Sequence, residues 1–326
     1  MDRADRALMT VTDVGRTFGG GKDLLRRERP KLHALSDVSL EIRRGETLGI
    51  VGESGCGKST LARLLVGLDR PNGGMIRFDG EDVAEAARRS PRALAREIQF
   101  VFQDPVSSLN PRKTIRSILE APLIHLLGLG RDARRERLLE LMEAVNLRPE
   151  FLERYPHEFS GGQAQRIGIA RALAVKPELI VLDEPVSALD VSIQAQVLNI
   201  LASLKRDFSL TYVFISHDLS VVESISDRVA VLYFGRVAEI GRAEAIFRNP
   251  RHQYTKLLLR SAPTPSRKSV ASEDDDAELP DPYNPPRGCA FAARCSHADD
   301  VCRAARPPLE PAPDEPGHFA ACYHPG

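Results

Sequence analysis

Apolar and polar positions along this 326-residue chain follow two different periods. The segments "ETLGIVG" (46–52), "LIVLDE" (179–184) and "TYVFIS" (211–216) are short and almost wholly apolar until their last residues. Runs of that length and content predict buried strands. Between them, "KSTLARLLVGL" (58–68) and the segments 161–175 and 192–206 carry apolar residues at helical spacing. Residues 111–155 do the same, as in "RRERLLELMEAV" (134–145). Strand and helix in alternation predict an α/β fold with a mainly parallel sheet covered on both faces. Residues 9–50 read as short β segments around a loop, "GGGKDLLRRERPKL" (19–32), made basic by Arg26, Arg27, Arg29 and Lys31. That loop is either a solvated insertion or a contact for anionic lipid headgroups.

The pattern breaks near Ala262. Residues 262–286, "APTPSRKSVASEDDDAELPDPYNPP", are rich in proline, serine and acid and read as a linker. Residues 287–326 then carry four of the five cysteines. Formal net charge is zero, which gives no support to a nucleic-acid partner. No apolar run approaches the roughly 18 residues of a membrane span, and "MDRADRALMT" has no signal-peptide core. A cytoplasmic protein is expected, working at a membrane only through a partner that spans it. In that reducing compartment the cysteines are not expected to form disulfides.

Two segments carry phosphate chemistry. Gly52-Glu53-Ser54-Gly55-Cys56-Gly57-Lys58-Ser59 fits the G-x-x-x-x-G-K-[ST] phosphate loop, placed between a strand and a helix as that loop requires. Its glycines let backbone N–H groups converge on phosphate oxygens, and the helix adds the positive end of its dipole. Lys58 would reach the β- and γ-phosphates, the Ser59 hydroxyl would bind Mg²⁺, and Thr60 would add a phosphate hydrogen bond. Cys56 is a small residue in the loop whose thiol is open to alkylation. "LIVLDEP" (179–185) ends a buried strand in two carboxylates. Asp183 suits the Mg²⁺ shell and Glu184 suits the polarisation of an attacking water. A second phosphate-binding helix start, "FSGGQ" (159–163), has Ser160 as N-cap and Gly161 and Gly162 for close approach.

The order GESGCGKST, FQDP, FSGGQ, LIVLDEP, SALD, ISHD resembles the nucleotide-binding subunit of an ABC transporter over residues 10 to about 260. The resemblance implies a P-loop core with an N-terminal antiparallel β subdomain and a helical signature subdomain near 104–165. It implies a nucleotide-binding domain over 1–262, a linker over 263–286 and a Cys-rich extension over 287–326. It also implies that Ser160, Gly161, Gly162 and Gln163 cap the ATP bound by another chain, in a head-to-tail dimer. Gln103 resembles the glutamine that touches Mg²⁺ and the attacking water. Asp190 resembles the aspartate that links the two sites, and His217 the histidine that contacts the γ-phosphate. Phe18 resembles the aromatic residue that stacks on adenine. Ala164 stands where the family often has arginine or lysine, so a weaker surface contact is expected there.

"VFQDPVSSLNPR" (101–112), "HDLSVVE" (217–223) and the tail "GCAFAARCSHADDVC…HFAACYHP" resemble the second of the two ATPases of oligopeptide and dipeptide importers. That likeness implies a paralogous ATPase as dimer partner (a homodimer being the alternative), two transmembrane permease subunits and an extracytoplasmic solute-binding protein. It places the chain at the cytoplasmic face of the inner membrane, hydrolysing ATP to power uptake. Nickel or another small solute is the alternative cargo, and a soluble ATPase of DNA repair or translation the alternative class. Cys289, Cys295, Cys302 and Cys322 follow C-x5-C-x6-C-x19-C and lack the close pair usual in zinc sites. Their spacing leaves a 4Fe–4S cluster, zinc (with His297, His318 or His324) and no metal all open. The resemblance favours the cluster, as does the expectation that so small a module needs a staple to fold.

Overall fold

The computed structural model describes residues 7–20, 30–261 and 280–326. The basic residues Arg26, Arg27 and Arg29, and most of the Pro/acidic stretch, lie outside these. From the N-terminus the chain runs through strands β1 (Ala7–Gly19), β2 (Lys31–Arg43) and β3 (Thr47–Val51) into helix α1 (Lys58–Leu65). Strands β4 (Gly73–Phe78) and β5 (Glu81–Asp82), helices α2 (Val83–Arg89) and α3 (Pro91–Glu97) and strand β6 (Ile98–Val101) follow. Helices α4 (Ile115–His125), α5 (Arg131–Ala144) and α6 (Gly161–Leu173) come next. The alternation resumes with β7 (Leu179–Asp183), α7 (Val191–Phe208), β8 (Thr211–Ile215), α8 (Leu219–Ile225), β9 (Arg228–Tyr233) and β10 (Arg236–Arg242). Helices α9 (Ala243–Arg248) and α10 (Gln253–Ser261) precede the linker, and α11 (Asp300–Ala304), β11 (Glu310–Pro311) and β12 (Phe319–Ala320) form the tail.

Two sheets result. β2, β1, β4 and β5 form an antiparallel sheet in that order. The larger sheet has the order β11-β12-β10-β9-β3-β8-β7-β6, parallel from β9 to β6 and antiparallel at its other end. β3, β7 and β8 are buried along their whole length. Successive side chains of a strand point to opposite faces. Thus Ile180, Leu182, Tyr212 and Phe214 join the core beneath α4–α7. Leu179, Val181, Val213 and Ile215 join the core beneath α1 and the antiparallel sheet. Unbroken apolar runs are what a sheet covered on both faces requires.

The cysteine-rich tail is no separate module. β12 pairs with β10, so the tail adds two strands to the main sheet. Phe291 is buried in the α4–α7 core, and Leu309 and Phe319 pack against the other core. Glu239 of β10 is fully buried and accepts from the backbone N–H groups of Arg251 and His252 (2.7 and 2.9 Å). The tail supplies its third partner, His318 Nε2, at 2.6 Å. Burying a carboxylate is costly unless it is paired and hydrogen-bonded in this way.

Candidate functional site

The phosphate loop spans the gap between β3 and α1, where the carboxyl end of a parallel strand meets a helix N-terminus. Gly57 caps α1 with φ 104°, and a Cβ there would lie 2.6 Å from the Ala34 carbonyl oxygen, so only glycine fits. Lys58 is buried and its Nζ donates to the carbonyl oxygens of Gly52 (2.7 Å) and Glu53 (2.9 Å). Those two bonds hold the ammonium inside the loop. Cys56 is buried beneath the loop, and burial pushes its thiol pKa up. The reading of Cys56 as a small loop residue fits this placement, while alkylation of its thiol is disfavoured, since both access and thiolate character are low.

Ser54, Gly55, Gly57, Lys58, Ser59 and Thr60 line a cleft of about 720 Å³, a size suited to a small ligand. Gln103, Glu184 and His217 line it from the other side, and Phe18 stands at its rim. Ser59 Oγ donates to Asp183 Oδ1 at 3.2 Å. Burial raises the Asp183 pKa, the Ser59 bond opposes that rise, and neighbouring Glu184 adds to it. Two hard oxygen ligands side by side fit Mg²⁺, which takes one or two protein oxygens and fills its shell with water and phosphate.

Glu184 follows β7 and its carboxylate is held on both sides. Gln103 Nε2 donates to Oε2 at 2.9 Å, and His217 Nδ1 lies 3.2 Å from Oε1. Its backbone is left-handed (φ 48°), an uncommon state for a residue with a side chain. Phe18 is partly exposed, with the Arg16 guanidinium 4.6 Å from its ring centroid.

The second glycine pair lies elsewhere. Ser160 N-caps α6 in a capping box: its hydroxyl accepts from Gln163 N–H, and its own N–H donates to Gln163 Oε1 at 3.1 Å. Ser160 and Gly161 are exposed, and the segment does not line the cleft. Gly162 is buried, and a Cβ there would sit 2.3 Å from Ile193 Cγ2, so it is required for packing against α7. Asp190 is exposed at the N-terminus of α7 and spends no side-chain bond on capping it. Ala164 is fully buried, which corrects the expected surface contact.

Three site features were missed by sequence reasoning. Pro280 and Pro282 line the cleft, with the Pro282 carbonyl accepting from His33 N–H at 3.0 Å. The tail residue Arg294 forms a two-bond ion pair with Glu53 of the phosphate loop, at 2.8 and 3.0 Å. Tyr254 of α10 accepts from Glu53 N–H at 2.9 Å. Only the unusual content of the linker and tail hinted at these contacts.

Residues 35–187 match the family model described as ABC transporter. Residues 238–302 match the one described as oligopeptide/dipeptide transporter, C-terminal region. The oligopeptide transport ATP-binding protein AppF of Bacillus subtilis is 50% identical over 321 residues, 97% of each chain. The dipeptide transport ATP-binding protein DppF of Haemophilus influenzae is 51% identical over 298 residues, 90% of each chain. Among solved structures, the ATP-binding cassette MJ0796, in a dimeric post-hydrolysis state bound to ADP and phosphate, superposes with TM-score 0.64 at 31% identity. That match covers 72% of this chain and 98% of the cassette.

These relatives are peptide transport ATP-binding proteins, and the 4Fe–4S expectation for Cys289, Cys295, Cys302 and Cys322 is corrected. The premise behind it fails, because the tail borrows the main cores and sheet and needs no staple of its own. Burial pushes the Cys289, Cys302 and Cys322 thiols up, and the neighbouring cysteines add to the rise. Among the described residues, the ligand-type atoms that gather within 4.8 Å are those of Asp299, Cys302 and His324, with one cysteine of the four. Asp299 there caps α11 through the Cys302 N–H and pairs with His324 Nε2 at 3.0 Å. His318 is committed to Glu239 and Glu315, and His297 is exposed. From motif order, fold and relatives together, the chain belongs to the ABC transporter family of ATPases and carries the C-terminal region of its oligopeptide/dipeptide transporters.

Proposed function

We propose that this chain hydrolyses ATP to drive uptake of oligopeptides or dipeptides through a membrane ABC importer. The observation that carries the reading is the Glu184 carboxylate, held by Gln103 and His217 beside the Ser59–Asp183 pair and the phosphate loop. Lys58 leaves its loop carbonyls for the β- and γ-phosphates, exchanging two neutral acceptors for anionic ones. Thr60 and the N–H groups of Ser54, Gly55 and Gly57 complete the cradle. Ser59, Asp183 and Gln103 would hold Mg²⁺, which would supply charge neutralisation to the bound triphosphate. Glu184 orients the attacking water and takes its proton, while His217 bonds the γ-phosphate. Phe18 stacks on adenine.

Exposed Ser160 and Gly161, with Gln163, present the positive end of α6 to the γ-phosphate held by a second subunit. Asp190 links the two composite sites. We assign that subunit to a paralogous ATPase, with two permease subunits and an extracytoplasmic solute-binding protein completing the importer. Among the described residues no helix is long and apolar enough to cross a membrane. We place the chain peripherally, at the cytoplasmic face of the inner membrane, where it acts through its permeases. Residues 1–262 serve as the nucleotide-binding domain, with the helical subdomain near 104–165. Residues 263–286 link it to the extension over 287–326.

The test is ATPase activity of the importer reconstituted in lipid vesicles with its binding protein. Peptide-loaded binding protein should stimulate phosphate release over the unloaded form. Stimulation by nickel-loaded protein and not by peptide would reject peptide as the cargo.

A further inference from the structure

Glu53, the second residue of the phosphate loop, is held by three parts of the chain at once. Its carbonyl oxygen accepts from Lys58 Nζ (2.9 Å) within the loop. Its N–H donates to the Tyr254 hydroxyl of α10 (2.9 Å). Its carboxylate takes both terminal nitrogens of Arg294, from 241 residues further along (2.8 and 3.0 Å). The Arg294 side chain is only 6% exposed. Its fork is aimed by Phe291, whose ring centroid lies 5.7 Å from the guanidinium carbon. Phe291 in turn packs edge-on against Tyr233 and at 5.5 Å from Tyr254. A continuous block of buried aromatic rings thus joins the tail to the loop.

That geometry matters electrostatically. An unpaired carboxylate beside the phosphate cradle would repel a triphosphate, and Arg294 cancels its charge. A two-bond fork also fixes the carboxylate's orientation, which a single-point cation does not. Because Glu53 is anchored through its side chain and its N–H, its carbonyl stays where Lys58 can release it for phosphate without the loop collapsing.

We propose that Arg294 is a positioning residue for the phosphate loop, through which the C-terminal extension sets the affinity of the cleft for ATP. The proposal rests on the reading of the cleft as an ATP site.

The test compares full-length wild type with Arg294→Ala, Arg294→Lys, Glu53→Gln and the Arg294→Ala/Glu53→Gln double variant. MgATP affinity, KM and kcat are measured alongside thermal melting without nucleotide. For Arg294→Ala the expected result is a KM and Kd raised about 10-fold, the loss typical of a hydrogen-bonded charge partner, with kcat within about 2-fold. Arg294→Lys, which keeps the charge and loses the fork, should fall between wild type and Arg294→Ala. In the double variant no charge is left unpaired, so its affinity should be no worse than that of Arg294→Ala. If Arg294→Ala melts below the assay temperature, Arg294→Lys and Glu53→Gln carry the comparison. Lower melting with unchanged affinity would make Arg294 a structural clamp only and overturn the proposal. Failure of wild type to bind MgATP would instead sink the reading of the cleft.

Discussion

His217 Nδ1 lies 3.2 Å from Glu184 Oε1, across the carboxyl ends of the paired strands β8 and β7. The contact joins two residues that follow separate strands, and Gln103, just beyond β6, closes the group. The two strands flanking β7 thus each deliver one side chain to the carboxylate that β7 itself carries. The left-handed backbone at Glu184 stores strain at this point, as functional sites often do. Glu184→Gln should bind MgATP as wild type does and hydrolyse it roughly 10²–10⁴-fold more slowly, the usual loss for a general base. Near-normal phosphate release by the variant would reject the role.

Gly161 and Gly162 should separate into functional and structural glycines. A methyl group at 162 meets Ile193 at 2.3 Å, whereas one at 161 meets Leu189 at 3.4 Å, ordinary contact. Gly162→Ala should cost about 1–3 kcal/mol of stability, the typical price of overpacking. Gly161→Ala should melt within about 0.5 kcal/mol of wild type yet lose ATPase activity. Equal melting of the two variants would show that α6 and α7 can part freely at this contact.

Much of this framework was legible in the sequence, for identifiable reasons. Buried strands such as "LIVLD" announce themselves by composition, because both faces need apolar side chains. The phosphate loop is contiguous, so its spacing is its structure. What was not legible is non-local. Nothing adjacent to Arg294 or Glu53 marks a pair 241 residues apart. Ala164 was read as a surface contact and Gly162 as a position of close phosphate approach, since helical spacing does not say how deeply α6 sinks beside α7. The tail looked too small to fold without a staple, because its Phe291 packs in a core supplied by distant segments.

Docking of the tail should depend on pH with a maximum near 6.5. Burial disfavours charge on His318, but its bonds to Glu239 and Glu315 outweigh this and raise its pKa. Its contribution is full below the ordinary value of 6.5 and is lost as pH climbs through the raised value. His252, packed behind the same Glu239, is driven down to about 4 by burial. Below pH 6.5 the unfolded chain takes up a proton there that the folded one refuses, so stability falls toward pH 4. Limited proteolysis of the tail should be slowest near pH 6.5 and quicken on both sides. A flat profile would contradict this account of the Glu239 site.

The signature helix should act on another subunit's nucleotide. A photo-crosslinking amino acid replacing Ser160 should join two chains when MgATP is present with Glu184→Gln blocking turnover, and much less without nucleotide. Crosslinks confined to one chain would exclude the head-to-tail arrangement.

The central claim is that hydrolysis at Glu184 drives peptide uptake, and the most direct measurement is accumulation of a labelled peptide by vesicles carrying the assembled importer. Wild-type subunit with MgATP should concentrate the peptide inside, and Glu184→Gln should bind nucleotide but leave peptide outside. Equal accumulation with both, or none with a wild-type subunit whose ATPase is intact, would contradict it.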